Sequence, residues 1–332
     1  MKSAWAIGNL TDEVIETSKQ LGVKNIIHYG GPGQTDWGGK SRTLEQYKDL
    51  IIKMKTNDLE LVSFEGGFVG NPSYWDVFTG GPKRDEVIED LISQITDMAR
   101  AGVPAYGYNW MPLGWVRSEP TYIRGNSKAT AFDSADSNLF FGGKKNIENI
   151  GDNYHLTKEM LWENLEYWIK AVTPVAEQEG IKLGIHPDDP PVDEVGGVPR
   201  IMNSFESFKR LIEIYPSDHN AIEFCQGTFS EMDENIYEMI EYFASRNKVL
   251  YVHFRNVSGP NPNKFNEEFI NTGYVDMHKA MKIYKDAGYK GCFMDDHCPD
   301  IYGDKEFPGN LGGYRSRIFA QGYIQALLDS MK

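Results

Sequence analysis

Four short apolar runs in the second half of the chain each end at a side chain able to bind a metal. The run 181–185 leads to His186, 221–224 to Cys225, 249–252 to His253, and 291–294 to Asp295, Asp296 and His297. A lone strand-end histidine or buried cysteine is commonplace. Four ligand types at four successive run ends form a pattern. The steps from His186 to Cys225, His253 and Asp296 are 39, 28 and 43 residues. Each is the length of one strand-helix unit, unlike the close pairs of a zinc ribbon. Two imidazoles, a thiolate and a carboxylate suit one divalent cation, and that donor set accepts Mn2+, Zn2+, Co2+ or Fe2+.

The neighbours of this quartet carry further chemistry. Asp188 and Asp189 either orient the His186 imidazole or cap the loop after the strand. His297 follows Asp296 and would stand beside the metal without being its fourth ligand, which suits a general acid or base. Tyr314, after Gly312-Gly313, either complements His297 as a second proton carrier or packs at a helix start. Glu65 ends the third run as a rim carboxylate. Arg117, Arg200 and Lys128 are loop cations, either receivers of a substrate carboxylate or solvated surface charge. Cys292 reads as a small buried residue.

For the quartet to meet, its runs must be parallel strands whose C-terminal ends share a rim. Four earlier runs, at 3–7, 24–28, 60–64 and 105–108, have the same character. Helical periodicity or start signals fall between the runs, at 11–21, 44–55, 85–101, 157–179, 204–215, 235–245, 275–287 and 320–331. In the third of these, Val87, Ile88, Leu91, Ile92, Ile95 and Met98 form one apolar face. Eight strand-helix units predict an α/β protein, a (β/α)8 TIM barrel, with active-site residues on the C-terminal rim. An open doubly wound sheet is the alternative. One domain is expected over 1–332, with a long loop insertion at about 109–154 covering the pocket mouth.

The formal charge of −14 argues against nucleic acid, whose affinity comes from cations on phosphate. It argues equally against an anionic membrane surface. No apolar signal stretch follows Met1, and no run approaches membrane-spanning length. Three cysteines are too few for a disulfide framework, so a cytoplasmic protein is expected. A homodimer is expected only because barrels often dimerise.

With the quartet in view, the chain resembles the mannonate dehydratase family, a branch of the xylose-isomerase-like barrels. The likeness is strongest over about 162–299. It rests on Ile185-His186-Pro187-Asp188-Asp189-Pro190-Pro191, Gly197-Val198-Pro199-Arg200-Ile201, Phe224-Cys225, Val252-His253-Phe254-Arg255, Val275-Asp276-Met277 and Asp296-His297. Tyr108-Asn109-Trp110-Met111-Pro112, Arg117 and Gly313-Tyr314 support it. The resemblance implies a divalent metal, usually Mn2+, on the residues matching His186, Cys225, His253 and Asp296. It implies proton handling by those matching His297 and Tyr314. It implies removal of water from D-mannonate, giving 2-keto-3-deoxy-D-gluconate, in hexuronate catabolism. Asp188, Asp189, Asn109, Arg117, Arg200 and Arg255 are then expected to bind the sugar acid or support the metal. A metal stabilises charge as C2 loses its proton, and an acid protonates the departing C3 hydroxyl.

The chain also departs from the family. Met294-Asp295-Asp296-His297-Cys298 stands where the family reads Arg-Pro-Asp-His-Gly, and Asn266-Glu267-Glu268-Phe269-Ile270 replaces a histidine-rich segment. A retained metal centre with an altered substrate shell leaves two other readings open. One is a divalent-metal sugar isomerase or epimerase of the same superfamily. The other is a catalytically silent sugar-binding protein.

Overall fold

A computed structural model describes residues 1–32, 42–66, 74–141, 155–305 and 312–332. Among them, eight parallel strands close a barrel in chain order. They are β1 (Lys2–Ile7), β2 (Asn25–Tyr29), β3 (Glu60–Glu65), β4 (Ala105–Asn109), β5 (Lys182–His186), β6 (Asn220–Cys225), β7 (Val249–His253) and β8 (Cys292–Met294). β8 pairs back onto β1, with Ala4 opposite Met294. The period-2 alternation of a strand sorts the side chains. In β1, Ala4 and Ala6 join the barrel interior with Ile27, Tyr29, Tyr251 and Met294. Trp5 and Ile7 face outward onto Val14, Ile15 and Met54.

The surrounding helices are α1 (Asp12–Leu21), α2 (Leu44–Thr56), α3 (Arg84–Ala101), α4 (Lys158–Glu179), α5 (Phe205–Ile214), α6 (Ile236–Ser245), α7 (Met277–Asp286) and α8 (Tyr314–Ser330). Their starts follow from short polar side chains that accept orphan N–H groups. Thr11, Thr43, Thr157, Ser204, Asn235 and Asp276 each do so. Gly22, Gly102 and Gly180 end α1, α3 and α4 in the left-handed conformation. α8 begins at Tyr314 rather than at the expected 320. Asp304 accepts the N–H groups of Arg315 and Ser316 at 2.8 and 3.0 Å, so a distant carboxylate nucleates a turn whose polar residues conceal it from an apolar count.

After β4 the chain forms small strands over the rim. Val116–Arg117 pairs with Phe140–Phe141, Thr121–Ile123 with Ser127–Ala129, and Ala131–Asp133 with Lys264–Glu268. Residues 142–154 of the expected insertion lie outside the described residues. Phe132 and Phe265 pack at 5.8 Å across the last pairing, within a cluster that includes Val116, Val192 and Val195. The segments after β4, β5 and β7 are thereby tied together. Among the described residues, no helix is long and apolar enough to cross a membrane.

Candidate metal centre

The rim position of each ligand type follows from where its strand stops. His186, Cys225 and His253 are the last residues of β5, β6 and β7, and Cys225 stands in register with His253. One ligand atom from each of the three lies within 4.8 Å of the other two. The two imidazoles are 5.2 Å apart, centre to centre. Asp296, just past β8, brings Oδ2 to 3.9 Å from Cys225 Sγ and 3.5 Å from His253 Nδ1. Its φ of 46° lies in the left-handed region, which costs a non-glycine residue about 1–3 kcal/mol. Arg255 Nε, 2.9 Å from Oδ2, holds the aimed carboxylate. The four candidate ligands picked by spacing thus face one small volume.

The histidine tautomers suit a cation. His186 Nδ1 donates to the Pro187 carbonyl at 2.6 Å, leaving the Nε2 lone pair for the centre. His253 Nε2 lies 3.0 Å from Glu223 Oε1 and 3.1 Å from Glu65 Oε2. Its Nδ1 is buried without a hydrogen-bond partner among the described residues. An orphaned buried nitrogen beside a thiol and a carboxylate is what a divalent ion would satisfy. Burial pushes the Cys225 thiol up. The Arg255 charge and the neighbouring His186 and His253 rings outweigh it and hold the thiol well below its ordinary value. Burial likewise opposes a charge on His186, but its contact with Cys225 prevails and raises it to about 9. A divalent cation bound there would displace protons from the thiol and the imidazoles.

Arg255 is the hub of the surrounding charges. Besides Asp296 it contacts Glu231 at 3.1 Å, Asp189 at 3.1 Å and Thr228 at 2.9 Å. Arg117 grips both oxygens of Asp189, at 2.5 and 2.8 Å, and reaches Glu267 at 3.2 Å. Glu267 Oε1 lies 2.6 Å from His297 Nδ1. His297 Nε2 is 3.6 Å from Asp296 Oδ1, and this side chain keeps 16% of its surface open. Burial disfavours a charge on His297, yet Asp296 and Glu267 raise its pKa.

The two adjacent aspartates divide their work. Asp189 joins the charged network, while Asp188 accepts the Ile201 and Met202 N–H groups at 2.8 and 2.7 Å and pairs with Arg200. Arg200 also donates to the Gly114 carbonyl at 2.7 Å. It is buried structural wiring rather than a free receiver of a carboxylate. Asn109 ends β4 in register with His186. Lys128 sits in a short surface strand, Thr121–Ile123 against Ser127–Ala129.

One expectation needs correction. Tyr314 is not brought to the centre. It packs with Trp5, Ile7, Leu10 and Val14 on the outer side of β1. Burial and the neighbouring Glu13 push its phenol up to about 12. Asp295, where the family has proline, is buried against Arg317 at 2.8 Å, with both side chains wholly enclosed.

Sequence reasoning passed over Glu223, Glu231 and Glu267. Glu223 carried a signal: a charge in an apolar run, two residues before Cys225 and so on the same face. Glu231 lies in the short helix Gln226–Glu231 and Glu267 in a rim strand, and neither shows its partners in the sequence.

A family model described as D-mannonate dehydratase (UxuA) matches residues 50–332. The mannonate dehydratase of Streptococcus pneumoniae (strain 70585) is 32% identical over 312 residues, covering 88% of this chain and 84% of that protein. That of Streptococcus suis (strain 05ZYH33) is 31% identical over the same shares. The crystal structure of the mannonate dehydratase from Streptococcus suis serotype 2 superposes with a TM-score of 0.86 at 31% identity, over 99% of this chain and 93% of that one. A xylose isomerase domain protein from Planctomyces limnophilus, at 13% identity and a TM-score of 0.59, covers 99% of this chain and 96% of its own. It shares the fold, a xylose-isomerase-like TIM barrel.

Proposed function

The chain belongs to the D-mannonate dehydratase family, and from that premise we propose that it is a hydro-lyase converting D-mannonate to 2-keto-3-deoxy-D-gluconate and water. The observation that carries this reading is the convergence of His186, Cys225, His253 and Asp296 beside His297 at the barrel mouth. Those four residues would hold one divalent cation, Mn2+ in our reading. When bound, it supplies Lewis acidity that stabilises negative charge on substrate oxygens as C2 loses its proton.

The chain supplies the rest. Glu267 takes the Nδ1 hydrogen of His297, so Nε2 is the atom through which protons pass to or from the substrate. Arg255 keeps Asp296 turned inward, and Arg117 fixes Asp189 beneath the loop. The rim strand pairing between Ala131–Asp133 and Lys264–Glu268 helps keep water from the reacting carbons. Three free cysteines suit a reducing cytoplasm. The purified protein loaded with Mn2+ is expected to form the 2-keto-3-deoxy product from D-mannonate, and to lose that activity on chelation. A loaded protein that forms no such product would contradict the proposal.

A further inference from the structure

Below the metal centre the barrel interior holds an ionisable group that no step of the reaction uses. Glu223 points inward from β6, two residues before Cys225. Its backbone therefore lies about 7 Å deeper than the rim, and it is 1% exposed. No substrate at the mouth can touch it. A buried carboxylate is costly unless it has a partner, and room has been made for this one. Gly107 of β4 stands in register with Gly184 of β5. A Cβ on Gly107 would come within 2.1 Å of Glu223 Oε2 and of the Tyr251 hydroxyl.

The partner of Glu223 is His253 Nε2, at 3.0 Å. Glu65 Oε2 is 3.1 Å from the same nitrogen, and the Tyr251 hydroxyl contacts both carboxylates, but the Glu65 side chain is 14% open to water where that of Glu223 is 1%. We infer that Glu223 is a positioning residue that holds the hydrogen of His253 on Nε2 and so aims the Nδ1 lone pair at the cation. An imidazole whose far hydrogen goes to a carboxylate is a fixed and more basic ligand. The inference rests on the metal-centre reading and deepens it.

The test is Mn2+ binding by titration calorimetry on the full chain. Glu223→Gln keeps the shape and an acceptor oxygen but removes the charge. It is expected to weaken Mn2+ binding about 10- to 100-fold. The Co2+-loaded variant should keep its thiolate absorption and shift its visible bands. Glu65→Gln, whose carboxylate is partly open to water, should change affinity less than about threefold on the same scale. If Glu223→Gln does not fold, Gly107→Ala, which displaces the same carboxylate, should give the same loss. Equal Mn2+ affinity in parent and Glu223→Gln overturns the inference alone, as does an equal loss in Glu65→Gln. A parent that takes up no Mn2+ overturns the metal-centre reading and this inference with it.

Discussion

In the proposed function His297 does chemistry beside the metal without holding it. It faces Asp296 Oδ1 from 3.6 Å and is anchored by Glu267, which would put it next to the proposed cation site rather than in it. His297→Asn is expected to lower kcat about 10²- to 10⁴-fold while Mn2+ affinity, read by calorimetry, stays close to the parent's. A collapse in affinity instead would make His297 a ligand. Glu267 gives a pH test. Burial would push its carboxyl up, but His297 and Arg255 hold it down at about 2 against an ordinary 4.5. A carboxylate depressed in the folded state adds stability above its unfolded pKa. That stability is lost as pH falls from about 4.5 through about 2 and amounts to roughly 3 kcal/mol. Glu267→Gln should therefore lower the neutral-pH melting temperature and flatten its fall between pH 5 and pH 2. An unchanged acid limb would contradict this. At this scale the sequence was legible where a side chain's placement follows from the strand it ends, as for His186, Cys225 and His253. It was illegible where the role is set by partners far along the chain. Arg255 binds residues 24 to 66 positions away, and Glu267 meets Arg117 across 150 residues.

Among the elements, α8 seals the barrel where its first and last strands meet. Arg317 donates to the Ala6 carbonyl of β1 at 3.1 Å and pairs with Asp295 just beyond β8. Gln321 donates to the Ala4 carbonyl at 2.8 Å. Removing one partner of a buried pair strands the other charge. Arg317→Leu should cost about 3–5 kcal/mol in denaturant unfolding, and adding Asp295→Leu should recover most of it. A single variant as stable as the parent would show the pair to be idle. The eight strands and most helix starts were readable, because apolar runs and capping residues are local signals. The start of α8 was not, since Asp304 caps it from outside the helix. Tyr314 was misjudged for the same reason. A glycine step before a helix reads alike whether the next ring turns to the barrel mouth or to the back of β1.

At the scale of the molecule, closure of β8 onto β1 joins the first and last strands in one sheet. We expect one calorimetric unfolding transition for the chain, shifted upward by Mn2+ in proportion to the logarithm of its concentration. Two separated transitions would contradict a single folding unit over 1–332. The barrel also explains why a chain with a formal charge of −14 can receive a sugar acid. Arg117 and Arg255 are paired with carboxylates, so a bound cation would set the local field there. The most direct test of the whole account is anomalous diffraction at the manganese edge from crystals soaked in MnCl2. One strong peak bonded to His186, Cys225, His253 and Asp296 is predicted. A peak elsewhere, or none at the ends of β5 to β8, would contradict it.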